Sequence, residues 1–228
     1  MSTKLPHFFN RLGVNAAIVE TPESIIFVDA GTSGFSGEFQ WNLAQGKMDA
    51  DKDLYLVITH RDTDHYFGMH AIRKHGAQVI AHSNTAKFIE AYHEIIKDRL
   101  VQRVKELYGP GDFLGEVVAS RPDRTISKDL TLNVGEEIQI LTAPGHTPGD
   151  IAVYHPRSRV LFAGDAILEG MNPYIREDSL SLDVWVRNLE RMKKLDVEWV
   201  VPGHGAISRA DIIDSNILFL QKQINRVL

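Results

Sequence analysis

Short apolar runs separated by polar turns dominate this chain, and they fall into two groups. The apolar runs within Asn15 to Glu20 and Ser24 to Asp29 predict two paired strands around the turn Thr21-Pro22-Glu23. Gly31 to Gly37 reads as a loop and Glu38 to Lys47 as a helix. The run Leu54-Tyr55-Leu56-Val57-Ile58 predicts a buried strand ending at Thr59, and Tyr66 to His75 a helix stopped by Gly76. Gln78 to Ala81 reads as a short buried strand, with Ser83 or Asn84 capping the next helix. Within residues 85 to 108, Phe88, Ile89, Tyr92, Ile95, Ile96, Leu100, Val104 and Leu107 recur at three- and four-residue steps. They predict the longest helix, ended by Gly109-Pro110-Gly111. That stripe is expected to pack on the body of the protein or on a second subunit; a place at a substrate entrance is the alternative.

The second group is denser in strands. Leu130 to Val134, Ile138 to Ala143, Ile151 to His155 and Val160 to Ala163 alternate with turns. A helix over Leu182 to Leu195, a strand over Val197 to Val201 and a final helix from Ala210 follow. Strands with helices in both halves suggest an α/β (α+β) protein, a four-layer αββα sandwich of two facing mixed sheets with the polar loops gathered at one edge. No linker or internal repeat divides residues 1–228, so a single domain is expected.

Composition narrows the chemistry. With 228 residues, 43% of them apolar, the chain can bury a substantial core. A net charge of −5 offers no basic footprint for nucleic acid. No stretch approaches the roughly 18 consecutive apolar residues of a membrane span. Met1 to Asn10 lacks the cationic-then-apolar order of a signal peptide, so a cytoplasmic protein is expected. The absence of cysteine rules out disulfides, thiolate ligands and a cysteine nucleophile.

What composition leaves open, one cluster fills. Thr59-His60-Arg61-Asp62-Thr63-Asp64-His65 places four possible metal ligands directly after an apolar strand. Converging carboxylates repel one another and are costly to keep unless a cation joins them. Alternate residues leaving a strand point the same way, so His60, Asp62 and Asp64 can aim at one side. Further ligands stand singly in glycine-rich or strand-end settings: His146 in Pro144-Gly145-His146-Thr147-Pro148-Gly149, Asp165 in Phe162-Ala163-Gly164-Asp165, and His204 in Val201-Pro202-Gly203-His204-Gly205. Four histidines and three aspartates suffice for two metal ions, and imidazole with carboxylate suits zinc, iron and manganese.

These motifs resemble the metallo-β-lactamase superfamily, whose usual signature is Thr-His-x-His-x-Asp-His followed by single His, Asp and His residues. The likeness runs from Asp29-Ala30-Gly31 to Gly203-His204-Gly205 and implies the same αββα fold. It also implies that a first metal takes His60, the residue at 62 and His146. A second would take Asp64, His65 and His204, with Asp165 between the ions and Asp29 tying the loop down. Position 62 departs from the pattern, carrying Asp62 where histidine is usual; the flavodiiron reductases resemble it in having a carboxylate there. This leaves the formal charge of two divalent ions, three aspartates and one hydroxide at zero, against +1 with histidine. One extra negative charge about 4 Å away is worth about 4 kcal/mol at an effective dielectric of about 20, roughly three pKa units at most. Asp62 is therefore expected to weaken hydroxide formation and to favour harder ions such as iron or manganese over zinc.

Other residues carry weaker expectations. Asn172-Pro173-Tyr174 follows Asp165 closely, and Tyr174 could hydrogen-bond a substrate carbonyl. Phe67, the loop Thr32 to Phe39 and His82 could border the cleft. His70, His75 and His93 read as surface or packing residues, His7 and His155 carry no signal, and Asp150 should brace the loop after Gly149.

Branches of the superfamily can be set aside by what they need. Cysteine-ligand β-lactamases lack support here, and glyoxalase II-like enzymes carry a C-terminal helical domain for which too few residues follow His204. RNA-processing members have insertions not found in this chain, and an acidic chain disfavours them. Quorum-quenching lactonases have a tyrosine where Leu168 stands, and flavodiiron reductases have a flavodoxin-like domain. The resemblance thus implies a stand-alone hydrolase of a small ester, thioester, lactone or related acyl substrate, in which metal-bound hydroxide attacks and Asp64 orients it. β-Lactamase-type amide hydrolysis is expected as a side activity at most. A di-iron redox protein and a non-catalytic metal binder are the alternatives. A small-molecule substrate is the expected partner, with neither nucleic acid nor membrane, and a homodimer is compatible.

Overall fold

A computed structural model describes residues 13–46 and 52–227. The Met1 to Asn10 segment, His7 and the Lys47 end of the first expected helix lie outside the described residues. Two mixed sheets face each other. One runs in the order β1 (Ala17–Glu20), β2 (Ser24–Val28), β3 (Asp53–Ile58), β4 (Gln78–His82), β5 (Arg124–Ile126), parallel except for the β1–β2 hairpin. The other contains β6 (Leu130–Asn133), β7 (Glu137–Thr142), β8 (Ile151–His155), β9 (Val160–Gly164), β10 (Trp199–Pro202) and β11 (Ser208–Arg209). It is antiparallel except for the β9–β10 pair.

Alternation along each strand assigns its residues to layers. In β2, Ile26 and Val28 join Val57, Ile80, Ile138, Ile140 and Val153 between the sheets. Ile25 and Phe27 point the other way, onto α1 (Gly34–Gln45), α3 (Met69–Arg73) and α4 (Ser83–Tyr108) through Trp41, Ala44, Ile72 and Ile89. β2 is buried along its whole length because both of its faces are covered. On the far side, Ala152, Leu161 and Val200 pack against Trp185, Leu189 and Met192 of α5 (Leu182–Lys193) and Ile213, Ile217 and Leu220 of α6 (Ile212–Val227). The expected four layers are present. Each fully buried Ile, Leu or Phe stabilises them by roughly 1.5–3 kcal/mol.

Three local expectations are corrected. The glycine-rich stretch expected as a loop already contains the first turn of α1, because Ser33 and Ser36 cap it reciprocally: Ser33 Oγ accepts from Ser36 N at 3.2 Å and Ser36 Oγ from Ser33 N at 2.9 Å. Such a cap contributes about 1 kcal/mol, enough to offset a glycine in a helix. The helix expected over Tyr66 to His75 is two short helices, α2 (Thr63–Tyr66) and α3, parted at Gly68. Gly68 presses against the Ala30 carbonyl so closely that a Cβ would collide with it, so the backbone turns there. The cap of α4 is His82, whose Nδ1 accepts from Asn84 N at 3.1 Å, ahead of the expected Ser83 or Asn84. The three-residue β5 and two-residue β11 were not expected; they are too short to show alternation and form by pairing with β4 and β10.

The stripe on α4 divides. Ile89 and Val104 are buried, and Ile96, Leu100 and Val101 pack against the first helical layer. Tyr92, Ile95 and Leu107 are exposed. Among the described residues, no helix is long and apolar enough to cross a membrane.

Candidate metal centre

Loops leaving β2, β3, β7, β9 and β10 meet at one edge of the sandwich. Asp29 follows β2 in the left-handed region, at φ +59°, an uncommon conformation that Asp tolerates better than most residues. It aims the buried carboxylate at the next loop: Oδ1 accepts from Thr59 N at 2.7 Å, and Oδ2 from Thr59 Oγ1 and His65 Nδ1, both at 2.8 Å. The β7–β8 loop is braced by Asp150, whose Oδ2 accepts from Gly145 N (3.1 Å) and Thr147 N (2.8 Å), as expected from its place after Gly149. Burial raises the Asp150 pKa against the opposing pull of His60 and His146. Asn15 donates to the Pro202 and Gly205 carbonyls at 2.9 and 3.0 Å and holds the loop of His204. Gly203 lies so close to the Asp165 carboxylate that no side chain fits there.

Every one of the four motif histidines is fixed through Nδ1. His65 donates to Asp29, His146 to the Tyr174 carbonyl at 3.0 Å, and His204 to the Gly13 carbonyl at 3.2 Å. His60 Nδ1 lies 3.1 Å from Thr59 Oγ1. That hydroxyl already gives its hydrogen to Asp29, so it accepts from the imidazole. Fixing Nδ1 as the donor leaves Nε2 as the free coordinating atom, the arrangement by which outer partners orient metal-ligating histidines.

All four Nε2 atoms converge on aspartates. Asp165 divides its carboxylate: Oδ2 lies 3.7 Å from both His60 and His146, while Oδ1 lies 3.2 Å from His65 and 3.5 Å from His204. Asp62 Oδ2 is 3.2 Å from His146 and 3.7 Å from His60. Asp64 Oδ2 is 3.2 Å from His204 and 3.9 Å from His65. Two groups therefore offer ligand atoms within 4.8 Å of one another: His60, Asp62, His146 and Asp165, and Asp64, His65 and His204. His60 Nε2, His65 Nε2 and Asp165 Oδ1 are buried without any hydrogen-bond partner, an arrangement that is costly unless a cation takes them up. The donor set fits divalent metal.

The same proximity sets the charges within the protein. Burial would lower the pKa of His204, but the carboxylates of Asp165 and Asp64, 3.5 and 3.2 Å away, push it up to about 9. His65 and His146 are raised against burial too, His65 chiefly by the charge of Asp165 and His146 by its hydrogen bond to Asp62. Burial would raise Asp64 and Asp165, yet the charge of His65 holds both below the usual carboxylate range. Asp62 is likewise held far down against burial, by its hydrogen bond to His146 and the nearby imidazole of His60.

One residue that changes the charge balance is invisible in the motifs. Arg176 Nη1 lies 2.6 and 2.8 Å from the two oxygens of Asp62, and its Nε is 3.1 Å from Asp178, which also pairs with Arg61. The expectation that Asp62 simply adds one negative charge is corrected here: Arg176 offsets that charge and restores a formal sum of +1. The two residues are 114 positions apart, and no spacing rule connects them.

A cleft of about 450 Å³ opens over the carboxylates, with Tyr174, Thr32 and Leu100 on its wall. Leu100 of the α4 stripe thus faces the cleft as well as the first helical layer, and Tyr174, 64% exposed, lies beside the carboxylates. Phe67 does not border the cleft; it is buried against His93 and Tyr66. His82 is spent on its cap. His93 is a packing residue that accepts from Ala119 N at 3.1 Å, and His75 stacks on Trp41 at 3.7 Å. His70 pairs with Glu116 at 3.5 Å, and His155, which carried no signal, is buried 3.1 Å from Glu136.

Comparison with known proteins bears on this geometry. The family model of the metallo-beta-lactamase superfamily matches residues 9–204. A Bacillus subtilis protein described as the probable metallo-hydrolase YqjP is 25% identical over 80% of this chain and 64% of its own length. The Gallus gallus acyl-coenzyme A thioesterase MBLAC2 is 28% identical over 67% of this chain and 57% of its own length. The chain thus spans less than two thirds of these relatives. Among solved structures, DIM-1 metallo-beta-lactamase is similar in fold, with a TM-score of 0.71 at 18% identity, covering 92% of this chain and 87% of that one.

Proposed function

Because the chain belongs to the metallo-beta-lactamase superfamily, we propose that it is a dinuclear metal-dependent hydrolase of a small acyl compound: an ester, thioester or lactone. His60, Asp62 and His146 hold one ion, Asp64, His65 and His204 the other, and Asp165 serves both. The observation that carries this reading is the set of four histidines, each with Nδ1 occupied and Nε2 turned toward the three aspartates. The divided approach of the Asp165 carboxylate to the two histidine pairs supports its shared role. Two divalent cations supply a Lewis acid for an acyl oxygen and bring the ionisation of water toward neutral pH.

The chain's own groups supply the rest. Asp64 lines the cleft and pairs with His204, and it orients the attacking water by accepting its hydrogen. Tyr174 offers a hydroxyl to the developing negative charge on the acyl oxygen. Arg176 holds both oxygens of Asp62, which fixes how that carboxylate faces His60 and His146. The thioesterase activity named for the Gallus gallus relative supports an acyl substrate. Zinc leads among the ions once Arg176 offsets Asp62; iron and manganese are the alternatives.

The test is a panel of acyl, phosphoryl and β-lactam substrates offered to protein reconstituted with zinc, manganese or iron, with Asp64→Ala as the blank. Acyl turnover above that blank is expected. No acyl turnover with any metal, together with oxygen consumption by the iron-loaded protein from an added reductant, would replace the hydrolase with a di-iron redox protein.

A further inference from the structure

The wall of the cleft is aliphatic. Leu100, Leu114, Leu168 and Met171 line it above the carboxylates. These side chains are set firmly in the fold. Leu100 also packs on the first helical layer, and Leu114 is buried. Leu168 is pinned through its own backbone, its N–H donating to Asn216 Oδ1 at 3.1 Å and its carbonyl accepting from Asn216 Nδ2 at 3.0 Å. Met171 sits at the rim, 47% exposed.

Among the described residues, no lysine or arginine lines this cleft. The two guanidinium groups nearby are already engaged, Arg176 by Asp62 and Asp178, and Arg61 by Asp178 and the face of Phe88 at 4.3 Å. Lys97 and Lys105 belong to a separate groove that shares only Leu114 with the cleft, and Lys97 pairs with Glu94. A carboxylate or phosphate lying along the leucines would lose its water and find no cation in the wall. A methylene there gains about 0.8 kcal/mol, about fourfold in binding.

We propose that the cleft selects a neutral aliphatic acyl group of medium length, joined to an uncharged alcohol or thiol. This rests on the hydrolase reading above. In the reaction, the acyl carbon–oxygen or carbon–sulfur bond breaks, a carbon–oxygen bond forms from water, and the alcohol or thiol leaves with a proton from that water.

The test compares p-nitrophenyl acetate, butyrate and hexanoate with the anionic p-nitrophenyl hemisuccinate, and the butyryl thioester of N-acetylcysteamine with butyryl-coenzyme A, on zinc-reconstituted protein. Expected is a rise in kcat/KM of about fifteenfold from acetate to butyrate, with hemisuccinate at least tenfold below butyrate and the neutral thioester above the coenzyme A ester. Met171→Lys, at an exposed position in the cleft wall, should raise the ratio of hemisuccinate to butyrate turnover. A flat response to chain length, or preference for the anionic member of either pair, would overturn the proposal. A turnover-free arm separates it from the hydrolase reading: saturation-transfer NMR should detect hexanamide in the cleft and not acetamide. Equal signals would overturn the aliphatic site even if hydrolysis is seen, whereas hexanamide binding without any ester turnover would leave the site standing and remove the hydrolase.

Discussion

Replacing Asp29 with asparagine should empty one metal position and spare the other. Asn suits the left-handed backbone at φ +59° about as well as Asp, so the main chain has no reason to move. The amide oxygen can keep the bond from Thr59 N, now 2.7 Å long, and Thr59 Oγ1 can accept from the amide NH₂ with one lone pair while the other still accepts from His60 Nδ1. His65 has no such choice. Facing an amide NH₂ in place of a carboxylate at 2.8 Å, Nδ1 must become an acceptor, and the proton moves to Nε2, the atom that has to bind metal. Loss of an outer partner of this kind costs about 10- to 100-fold in metal affinity, or about 1.4–2.7 kcal/mol. Losing one charged hydrogen bond costs about 1.5–3 kcal/mol of stability. At about 2–4 °C per kcal/mol for a chain of this size, Tm should fall by about 3–12 °C. Chelator-competition titration with zinc should show one class of site unchanged and one weakened, and dialysed Asp29→Asn protein should retain about half the metal of the parent. Two unaltered affinities would refute the assignment of Asp29 as the group that orients His65; equal weakening of both would refute the division into two sites.

Asp62→His, taken alone, would set a new imidazole beside the Arg176 guanidinium, whose Nη1 has then lost its carboxylate, and should weaken zinc binding at the first position; Asp62→His with Arg176→Gln should restore it, which competition titration of the two variants checks. Gly203→Ala should damage both positions at once, because its Cβ drives into the Asp165 carboxylate, whereas His146→Ala and His204→Ala should each remove mainly one equivalent by elemental analysis. Metal uptake near pH 7.5 should release protons, since His204 stays protonated up to about pH 9 in the metal-free protein and must be neutral to coordinate. Affinity should therefore fall as pH falls, measurable by calorimetry in buffers of different ionisation enthalpy. In chelator-treated protein the stabilising pairing of His204 is fully present below about pH 6.5 and is lost as pH rises through about 9, so Tm should drop over that window.

Much of this architecture is written locally. The ligand cluster His60 to His65 follows a strongly apolar strand, and the strands expected over Ser24 to Asp29, Ile138 to Ala143 and Ile151 to His155 are present as β2, β7 and β8. Elements that depend on a distant partner were not legible. β5 and β11 exist only as edge pairings, and the break at Gly68 comes from the carbonyl of Ala30 across the loop. At the site, residue types exposed the ligands, but not the partners that orient and neutralise them. Arg176 reaches Asp62 across 114 positions, and Asn216 reaches Leu168 across 48. Such long-range polar bonds leave no periodic trace in a sequence. The α4 stripe was ambiguous for a related reason: one helix face serves the core, the cleft and the surface in turn.

Anomalous diffraction from crystals of zinc-reconstituted protein tests the two-metal centre most directly. The account predicts two peaks at the zinc edge, one among His60, Asp62, His146 and Asp165, the other among Asp64, His65, His204 and Asp165. A single peak, or zinc bound away from these seven side chains, would contradict it.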